Sequence, residues 1–250
     1  MKLLNRRLRL VDGLRGLTIV SMVIYHLLYD LYIIYGLDPD WAAHTGVRLW
    51  QQSICWVFIF ISGFVWRYGR GNIKRGLFLN LLGMVISLVT CLIIPSDAVW
   101  FGILSFLGCA ILLAEFFRKP LGKIPPWLGL GLCFALFLAL KNVPIGYVGY
   151  KWFFSAPLPG GLYTSWLLVP LGFPFPGFRS SDYFPMIPWL FLFFSGYFSN
   201  RLFSENPGLV SFAQRPLPFF ESIGRKSLLI YVLHQPVCIL LCVIFLGLPL

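Results

Sequence analysis

The sequence predicts an all-α integral membrane protein, a bundle of about seven transmembrane helices with its N-terminus in the cytoplasm. Composition, the length of the apolar segments and the placement of the basic residues all favour this fold class. Hydrophobic residues make up 58% of the 250 residues and charged residues 12%, with a mean hydropathy of +0.81. Soluble domains are about 45–50% apolar and about 25% charged. One soluble core of this size cannot bury so much apolar surface, and a disordered chain would be richer in charge.

Seven apolar segments are predicted to cross a membrane, which takes roughly 20 residues of helix. They are residues 17–36, 49–66, 76–95, 98–117, 126–140, 184–200 and 227–248. The fifth is short and is the weakest of the seven. The first carries His26 and Asp30 and is not followed by a small-residue cleavage site. We therefore interpret it as a helix of the bundle and not as a cleavable signal peptide.

Residues 142–183 are predicted to form an outer loop between the fifth and sixth helices. Six prolines in this stretch exclude a regular spanning helix; they are Pro144, Pro157, Pro159, Pro170, Pro174 and Pro176. The apolar part, residues 161–175, is compatible with partial re-entry, because irregular backbone is tolerated at membrane depth where it is shielded from lipid. We predict a single domain over residues 1–250 that includes this loop.

The basic residues set the predicted orientation. With the N-terminus inside, 16 of the 20 Lys and Arg residues fall in inner segments and 4 in outer segments. This asymmetry is typical of cytoplasmic loops, and it accounts for most of the net charge of +11 without a nucleic-acid partner. An eighth span at residues 161–175 would turn the last inner loop outward and spoil the asymmetry.

The six cysteines indicate neither a metal site nor a disulfide framework. All lie inside apolar runs without zinc-ligand spacing, so we interpret them as small apolar side chains. They are Cys55, Cys91, Cys109, Cys133, Cys238 and Cys242.

Ionisable residues within a span are costly and are candidates for function. His26 and Asp30 are four residues apart in the first helix, which places them on one face about 6 Å apart at Cβ. A carboxylate beside an imidazole fixes its tautomer and favours its protonated form, as a general base requires. The alternative is a buried pair that only positions helices.

Two further histidines are weaker candidates on their own. His234 lies in the last helix and is followed by Gln235 and Pro236; a lone polar residue there is more often a packing contact. Because polar groups occur on both the first and last helices, we expect these helices to share a cavity. His44 lies in the outer loop 37–48, where the spacing alone favours an exposed residue.

The N-terminal segment places four arginines, Arg6, Arg7, Arg9 and Arg15, at the cytoplasmic end of the first helix. Arg9, Asp12 and Arg15 recur every three residues. Arginine guanidinium groups suit phosphates, which favours a phosphorylated cosubstrate from the cytoplasm. The alternative is topology signalling with contacts to anionic membrane lipids. The sequence contains no Walker or dinucleotide glycine pattern.

Several motifs in order along the chain resemble known membrane acyltransferases. Residues 9–16 (RLVDGLRG) and 58–64 (FIFISGF) resemble the first two signatures of the integral-membrane acyltransferases. More particular motifs are 26–31 (HLLYDL), 181–189 (SDYFPMIPW) and 224–236 (GRKSLLIYVLHQP). Together they resemble the bacterial branch of the heparan-α-glucosaminide N-acetyltransferase catalytic-domain family, within the transmembrane acyltransferase superfamily.

This resemblance implies acetyl transfer from cytoplasmic acetyl-CoA, without a metal, to a sugar acceptor across a bacterial cytoplasmic membrane. In the lysosomal members a histidine in the first luminal loop is regarded as catalytic, and His44 lies in the comparable stretch. Those members place Asn where this chain has His26, whereas the wider superfamily places His there. The resemblance therefore leaves open which histidine leads. This chain also has fewer helices than the lysosomal enzymes.

The resulting hypothesis is a membrane-embedded acyltransferase. Arg9 and Arg15 would hold the CoA phosphates, with Asp12 orienting them. His26, oriented by Asp30, would remove the proton from an acceptor amine or hydroxyl group.

The last helix and the outer loop complete this hypothesis. His234 and Gln235 would stabilise the developing oxyanion or position the acceptor. Asp182 and Trp189, at the outer end of the sixth helix, would bind the acceptor, an amino sugar or another glycan. A covalent acetyl-histidine and direct attack are both compatible with these residues.

Two other functional classes stay open. A transporter or flippase would also use polar residues at mid-membrane, but the halves show no inverted repeat of the kind many transporters contain. A structural membrane subunit would not account for His26, Asp30 and His234 together. The choice between N- and O-acetylation and the oligomeric state, a homo-oligomer included, are not fixed by the sequence.

Overall fold

The computed structural model describes residues 7–150 and 154–247. Lys2, Arg6 and Lys151, which contribute to the predicted orientation, lie outside these residues. The helices are α1 (Arg9–Tyr29), α2 (Thr45–Val65), α3 (Asn72–Ile93), α4 (Ile103–Phe116), α5 (Arg118–Lys123), α6 (Pro126–Leu140), α7 (Met186–Ser204), α8 (Pro207–Ala213), α9 (Pro218–Arg225) and α10 (Ser227–Leu246). A short antiparallel hairpin joins β1 (Tyr147–Tyr150) to β2 (Phe154–Pro157).

Five helical segments of the described chain are long and apolar enough to cross a membrane. They are Arg9–Ile34, Thr45–Tyr68, Asn72–Ile93, Pro126–Ile145 and Ser227–Leu246. Along α3, leucines that would be unfavourable in water are 57–72% exposed, at Leu77, Leu81, Leu88 and Leu92, and lipid can cover them. The predicted class of helical integral membrane protein is confirmed at this level. The count of seven spans stays a prediction, since α4 has only 14 residues. The side of the N-terminus also stays a prediction.

The chain divides into two compact units. The first unit contains residues 1–61 and 203–250, and the second contains residues 62–202. The boundary falls within α2. The prediction that the chain is one domain stays a prediction.

In the first unit α1 packs closely against α9. A Cβ atom on Gly16 would lie 1.9 Å from the carbonyl oxygen of Phe220, and one on Gly224 would lie 1.9 Å from the carbonyl oxygen of Asp12. Only glycine allows two backbones to approach so closely. These two glycines therefore fix the α1–α9 crossing, and with it the distance between side chains on either helix near Asp12.

The end of α1 changes its winding. The segment Asp30–Ile34 continues α1 as a π-helical turn, a form that is found mostly as single turns within α-helices, often at functional sites. The side chain of Asp30, the first residue of this turn, is buried with 1% exposure. The C-terminal end of the turn is tied down by Tyr35, whose hydroxyl group donates to the carbonyl of Gly247.

In the second unit α3 packs against α4, and the Cys109 thiol donates to the Asn80 side chain at 3.3 Å. Among its described residues, the segment 142–183 contains the β1–β2 hairpin and three 3₁₀ segments, Val143–Ile145, Gly160–Thr164 and Trp166–Leu171. Helix α7 has 19 residues and covers the sixth predicted apolar segment.

Candidate active site

A buried polar cluster joins the C-terminal end of α1 to the middle of α10 in the first unit. The side-chain amide of Gln235 donates to Oδ1 of Asp30 at 2.7 Å. Asp30 has 1% and His234 9% of its surface exposed. A buried carboxylate is costly unless it is hydrogen-bonded. The amide of Gln235 satisfies only Oδ1 of Asp30 and leaves Oδ2 without a donor.

Three polar atoms of this cluster lack a partner among the described residues. They are Oδ2 of Asp30, Oε1 of Gln235 and Nε2 of His234, and all three are buried. The large majority of buried polar atoms in proteins are hydrogen-bonded. Two of the three are oxygen acceptors, and the group that would complete them is a hydrogen-bond donor such as an amine or a hydroxyl.

His26 and His234 face each other. Their ring centroids are 4.6 Å apart, and the ring planes meet at 61°. Nδ1 of His234 lies 2.5 Å from the carbonyl oxygen of Tyr231. Because a carbonyl only accepts, Nδ1 carries the proton, and Nε2 of the neutral ring keeps its lone pair. His234 is therefore prepared to accept a proton or to act as a nucleophile at Nε2.

The partner of Asp30 differs from the one that the helical spacing favours. The sequence predicts that Asp30 orients His26, four residues earlier. The hydrogen bond that the structure gives Asp30 goes to Gln235, 205 positions along the chain. The orienting role toward His26 stays a prediction.

Aromatic rings pack beside His26. Tyr25 packs edge-on against His26 at 5.6 Å and against Trp50 at 5.4 Å, and its ring is tilted against that of Trp41 at 5.4 Å. The indole nitrogen of Trp50 donates to the hydroxyl of Ser21 at 2.8 Å. The sequence pattern alone does not mark these rings, because aromatic residues are abundant throughout the chain.

His44 lies on the connection between α1 and α2. Its side chain is exposed, and its backbone N–H closes the 3₁₀ turn Trp41–Ala43 by donating to the carbonyl of Trp41 at 3.2 Å. An exposed position agrees with the expectation from spacing. Its catalytic role, which the family resemblance implies, stays a prediction.

The predicted phosphate-binding arginines lie at the start of α1 and are paired with carboxylates. Arg9 donates from Nε to Glu221 at 2.8 Å, and Arg7 donates from Nε to Asp12 at 2.6 Å. Arg15 Nη1 lies 3.6 Å from the other oxygen of Asp12. The first backbone N–H groups of α1, which has no side-chain cap at its N-terminus, add partial positive charge here.

Glu221 was missed by the sequence analysis. It is the one acidic residue in the basic segment 215–226 before α10, and it is buried with 5% exposure. An acidic residue in a segment otherwise rich in Arg and Lys is a signal for a specific ion pair. The sequence does not show its partner, since Arg9 is 212 positions away.

Asp182 and Trp189, the predicted acceptor-binding residues, belong to the second unit. Oδ2 of Asp182 accepts from the backbone N–H of Ile103 at 3.0 Å, where it caps the start of α4. Trp189 is 8% exposed and packs against Phe137 and Phe184. Their role toward an acceptor stays a prediction.

Tyr183, the residue after Asp182, is also held in the second unit. Burial raises the pKa of the Tyr183 phenol. The hydroxyl donates to the carbonyl of Val169 at 2.5 Å.

Comparison with known proteins identifies the family of this chain. The family model for the heparan-alpha-glucosaminide N-acetyltransferase catalytic domain matches residues 7–236, a range that includes every candidate residue from Arg9 to Gln235. No curated protein and no solved structure matches the chain. The protein therefore belongs to the heparan-α-glucosaminide N-acetyltransferase catalytic-domain family and is a membrane acetyltransferase.

Proposed function

We propose that this protein transfers an acetyl group from cytoplasmic acetyl-CoA to an amino-sugar or other glycan acceptor on the extracytoplasmic side of the membrane. The observation that carries the proposal is the buried cluster of Asp30, His234 and Gln235, whose three unpaired atoms are completed by a hydrogen-bond donor. An acceptor amine or hydroxyl is such a donor, and it is also the nucleophile of acetyl transfer.

The donor enters at the start of α1. Arg9 and Arg15 bind the phosphates of CoA, and Asp12 orients Arg15. Guanidinium groups bind phosphate oxygens through two parallel hydrogen bonds, and the positive end of the α1 dipole adds to their attraction. The thioester extends from there along α1 toward the histidine pair.

The histidine pair removes the acceptor proton. The sequence assigned this step to His26, while the lone pair at Nε2 of His234 favours His234 as the base. His26, in ring contact at 4.6 Å, then donates to the developing oxyanion, a role the sequence gave to His234. Gln235 and Asp30 hold the acceptor against Nε2.

The reaction is a nucleophilic acyl substitution. The acceptor nitrogen or oxygen forms a bond to the thioester carbonyl carbon as its proton passes to the histidine. The tetrahedral intermediate then loses the CoA sulfur, which takes that proton and leaves as the thiol. In the covalent variant, Nε2 attacks first and acetyl-histidine later passes the acetyl group to the acceptor.

We further propose that the chain crosses a bacterial cytoplasmic membrane seven times as one domain, with α4 and α7 as the two spans beyond the five long apolar helices. The N-terminus is cytoplasmic, as the placement of 16 of 20 basic residues on that side favours. In this orientation Asp182 and Trp189 lie toward the acceptor side.

Turnover of acetyl-CoA by purified protein in lipid nanodiscs, with glucosamine as the acceptor probe, tests the proposal. His234→Ala and His26→Ala are compared with wild type, and Cys109→Ala in the second unit is the control. We expect the histidine variants to lose turnover by about 10²–10⁴-fold, the usual contribution of a general base. Wild-type turnover by both histidine variants would overturn the assignment, and failure of wild type to bind acetyl-CoA would favour a transporter or flippase.

A further inference from the structure

The ion pair between Glu221 and Arg9 has a consequence for cosubstrate binding. The structure assigns Glu221 as a positioning residue that holds the Arg9 guanidinium for the phosphates of CoA. This inference rests on the proposed function, since it concerns the same donor site. It adds a residue from α9 to a site otherwise built from α1 alone.

Glu221 contacts Nε of Arg9, and this choice of atom determines which N–H groups of the guanidinium remain available to bind phosphate. Glu221 Oε2 accepts from Nε at 2.8 Å, and a guanidinium has five N–H donors in a fixed plane. Among the described residues, neither terminal nitrogen of Arg9 has a hydrogen-bond partner. The fork formed by the terminal nitrogens is thus kept for a bidentate contact with a phosphate.

Glu221 is rigidly placed for this task. It lies three residues before Gly224, on the face of α9 that contacts α1 at Asp12 and Gly16. Its side chain is 7% exposed, whereas that of Arg9 is 43% exposed. The buried carboxylate of Glu221 therefore holds the Nε side of the Arg9 guanidinium. The rest of the Arg9 side chain is accessible to solvent, from which the cosubstrate would bind.

A second arginine is held in the same manner. Arg7 donates from Nε to Asp12 Oδ2 at 2.6 Å, and its side chain is 55% exposed. Two guanidinium groups therefore present their terminal nitrogens beside the uncapped start of α1. Two such forks match a ligand that carries more than one phosphate.

Glu221 also cancels the charge of Arg9, and this opposes phosphate binding. The guanidinium is nearly half exposed, so solvent and salt screen its charge. Losing the anchor frees the long Arg9 side chain, whose ordering on binding is then unfavourable in entropy. We expect the loss of orientation to outweigh the gain in net charge at physiological salt.

The affinities for CoA and for pantetheine, which lacks the phosphates, separate positioning from general damage. In Glu221→Gln we expect the affinity for CoA to fall about tenfold, with that for pantetheine unchanged. Glu221→Asp keeps the charge and is expected to restore most of the CoA affinity. The loss in Arg9→Ala is not increased by adding Glu221→Gln. Glu115→Gln, which breaks the Glu115–Arg118 pair of the second unit, is the matched control.

Three results would overturn the inference. CoA binding by Glu221→Gln that equals or exceeds wild type would make Glu221 a charge-balancing residue. Equal losses for CoA and pantetheine, together with a lower Tm, would make it a packing residue. If wild type itself does not bind CoA, the proposed function is wrong. This result is distinguished from a failure of the Glu221 inference because it is measured on wild type alone.

Discussion

Gln235 on α10 donates a 2.7 Å hydrogen bond to the carboxylate of Asp30 on α1, and each partner keeps one further buried oxygen unpaired. The contact therefore does two things at once. It joins α1 to α10, and it leaves two buried acceptor oxygens without a donor among the described residues. Under the proposed function both stability and acetyl transfer depend on this contact, and substitutions can separate the two.

Replacing Gln235 by Leu removes the amide while keeping a similar volume. We expect the protein to lose about 1–3 kcal/mol of stability, because Asp30 is left buried without a donor, and to lose acetyl transfer. Asp30→Asn combined with Gln235→Leu should restore part of the stability, since the buried charge is gone, but not the turnover. Thermal unfolding in nanodiscs and acetyl-CoA turnover report the two effects. Recovery of turnover in the double variant would contradict the proposed role of Asp30.

The loop histidine is tested against the helix histidines. We expect His44→Ala to keep turnover close to wild type, because its side chain is exposed to solvent. His26→Ala and His234→Ala should lose turnover while binding CoA with unchanged affinity. Single-turnover measurements with radiolabelled acetyl-CoA compare the three. A loss in His44→Ala larger than that in His234→Ala would move the base to the loop.

The close packing of α9 against α1 depends on Gly16 and Gly224. Gly224→Ala would put a methyl group 1.9 Å from the carbonyl oxygen of Asp12, and we expect a loss of about 1–3 kcal/mol as α1 and α9 are forced apart. CoA affinity should fall with it, because Arg9 and Glu221 separate. Gly46→Ala on α2 has open space around its new methyl and is the control. Equal unfolding temperatures for the two variants would contradict this account.

Substitutions of Asp182 distinguish its contact with the start of α4 from a role in binding the acceptor. Asp182→Asn keeps an oxygen for the backbone N–H of Ile103, whereas Asp182→Ala removes it. We expect Ala to lower stability by about 0.5–2 kcal/mol and Asn to lower it less. If Asp182 also binds the acceptor, Asn will raise the KM for glucosamine without changing the Tm. An unchanged KM in Asp182→Asn would leave the residue with the capping role alone.

The sequence predicted the membrane class and the few polar residues that deserve a function, because lipid makes both signals strong. A charged residue on an apolar helix, such as Asp30 or His26, stands out against its neighbours. The sequence did not predict which polar groups meet. The Asp30–Gln235 and Arg9–Glu221 contacts join positions more than 200 residues apart, and helix packing selects them.

Local spacing gave a different partner for Asp30 because it compares only residues of one helix. His26 and Asp30 do keep the α-helical spacing, since the backbone N–H of Asp30 donates to the carbonyl of His26. The side-chain partner, Gln235, lies on α10, and the packing of α10 against α1 cannot be read from spacing within α1. Asp12 was predicted to orient Arg9 and Arg15 for phosphate; it lies beside Arg15, whereas Arg9 is paired with Glu221, and the role of Asp12 stays a prediction.

The π turn also makes the end of the first helix tolerant of a change in length. Such a turn holds one residue more than the α-helical turn it replaces, so both forms complete one revolution over the same stretch of helix. Deleting one residue from 31–34 would restore regular winding and leave the following chain, with Trp41 and His44, at nearly the same angle around the helix axis. A one-residue deletion after Asp30 would thus be absorbed within a single turn, whereas the same deletion in the regular part of α1 would rotate the residues that follow it by about 100°.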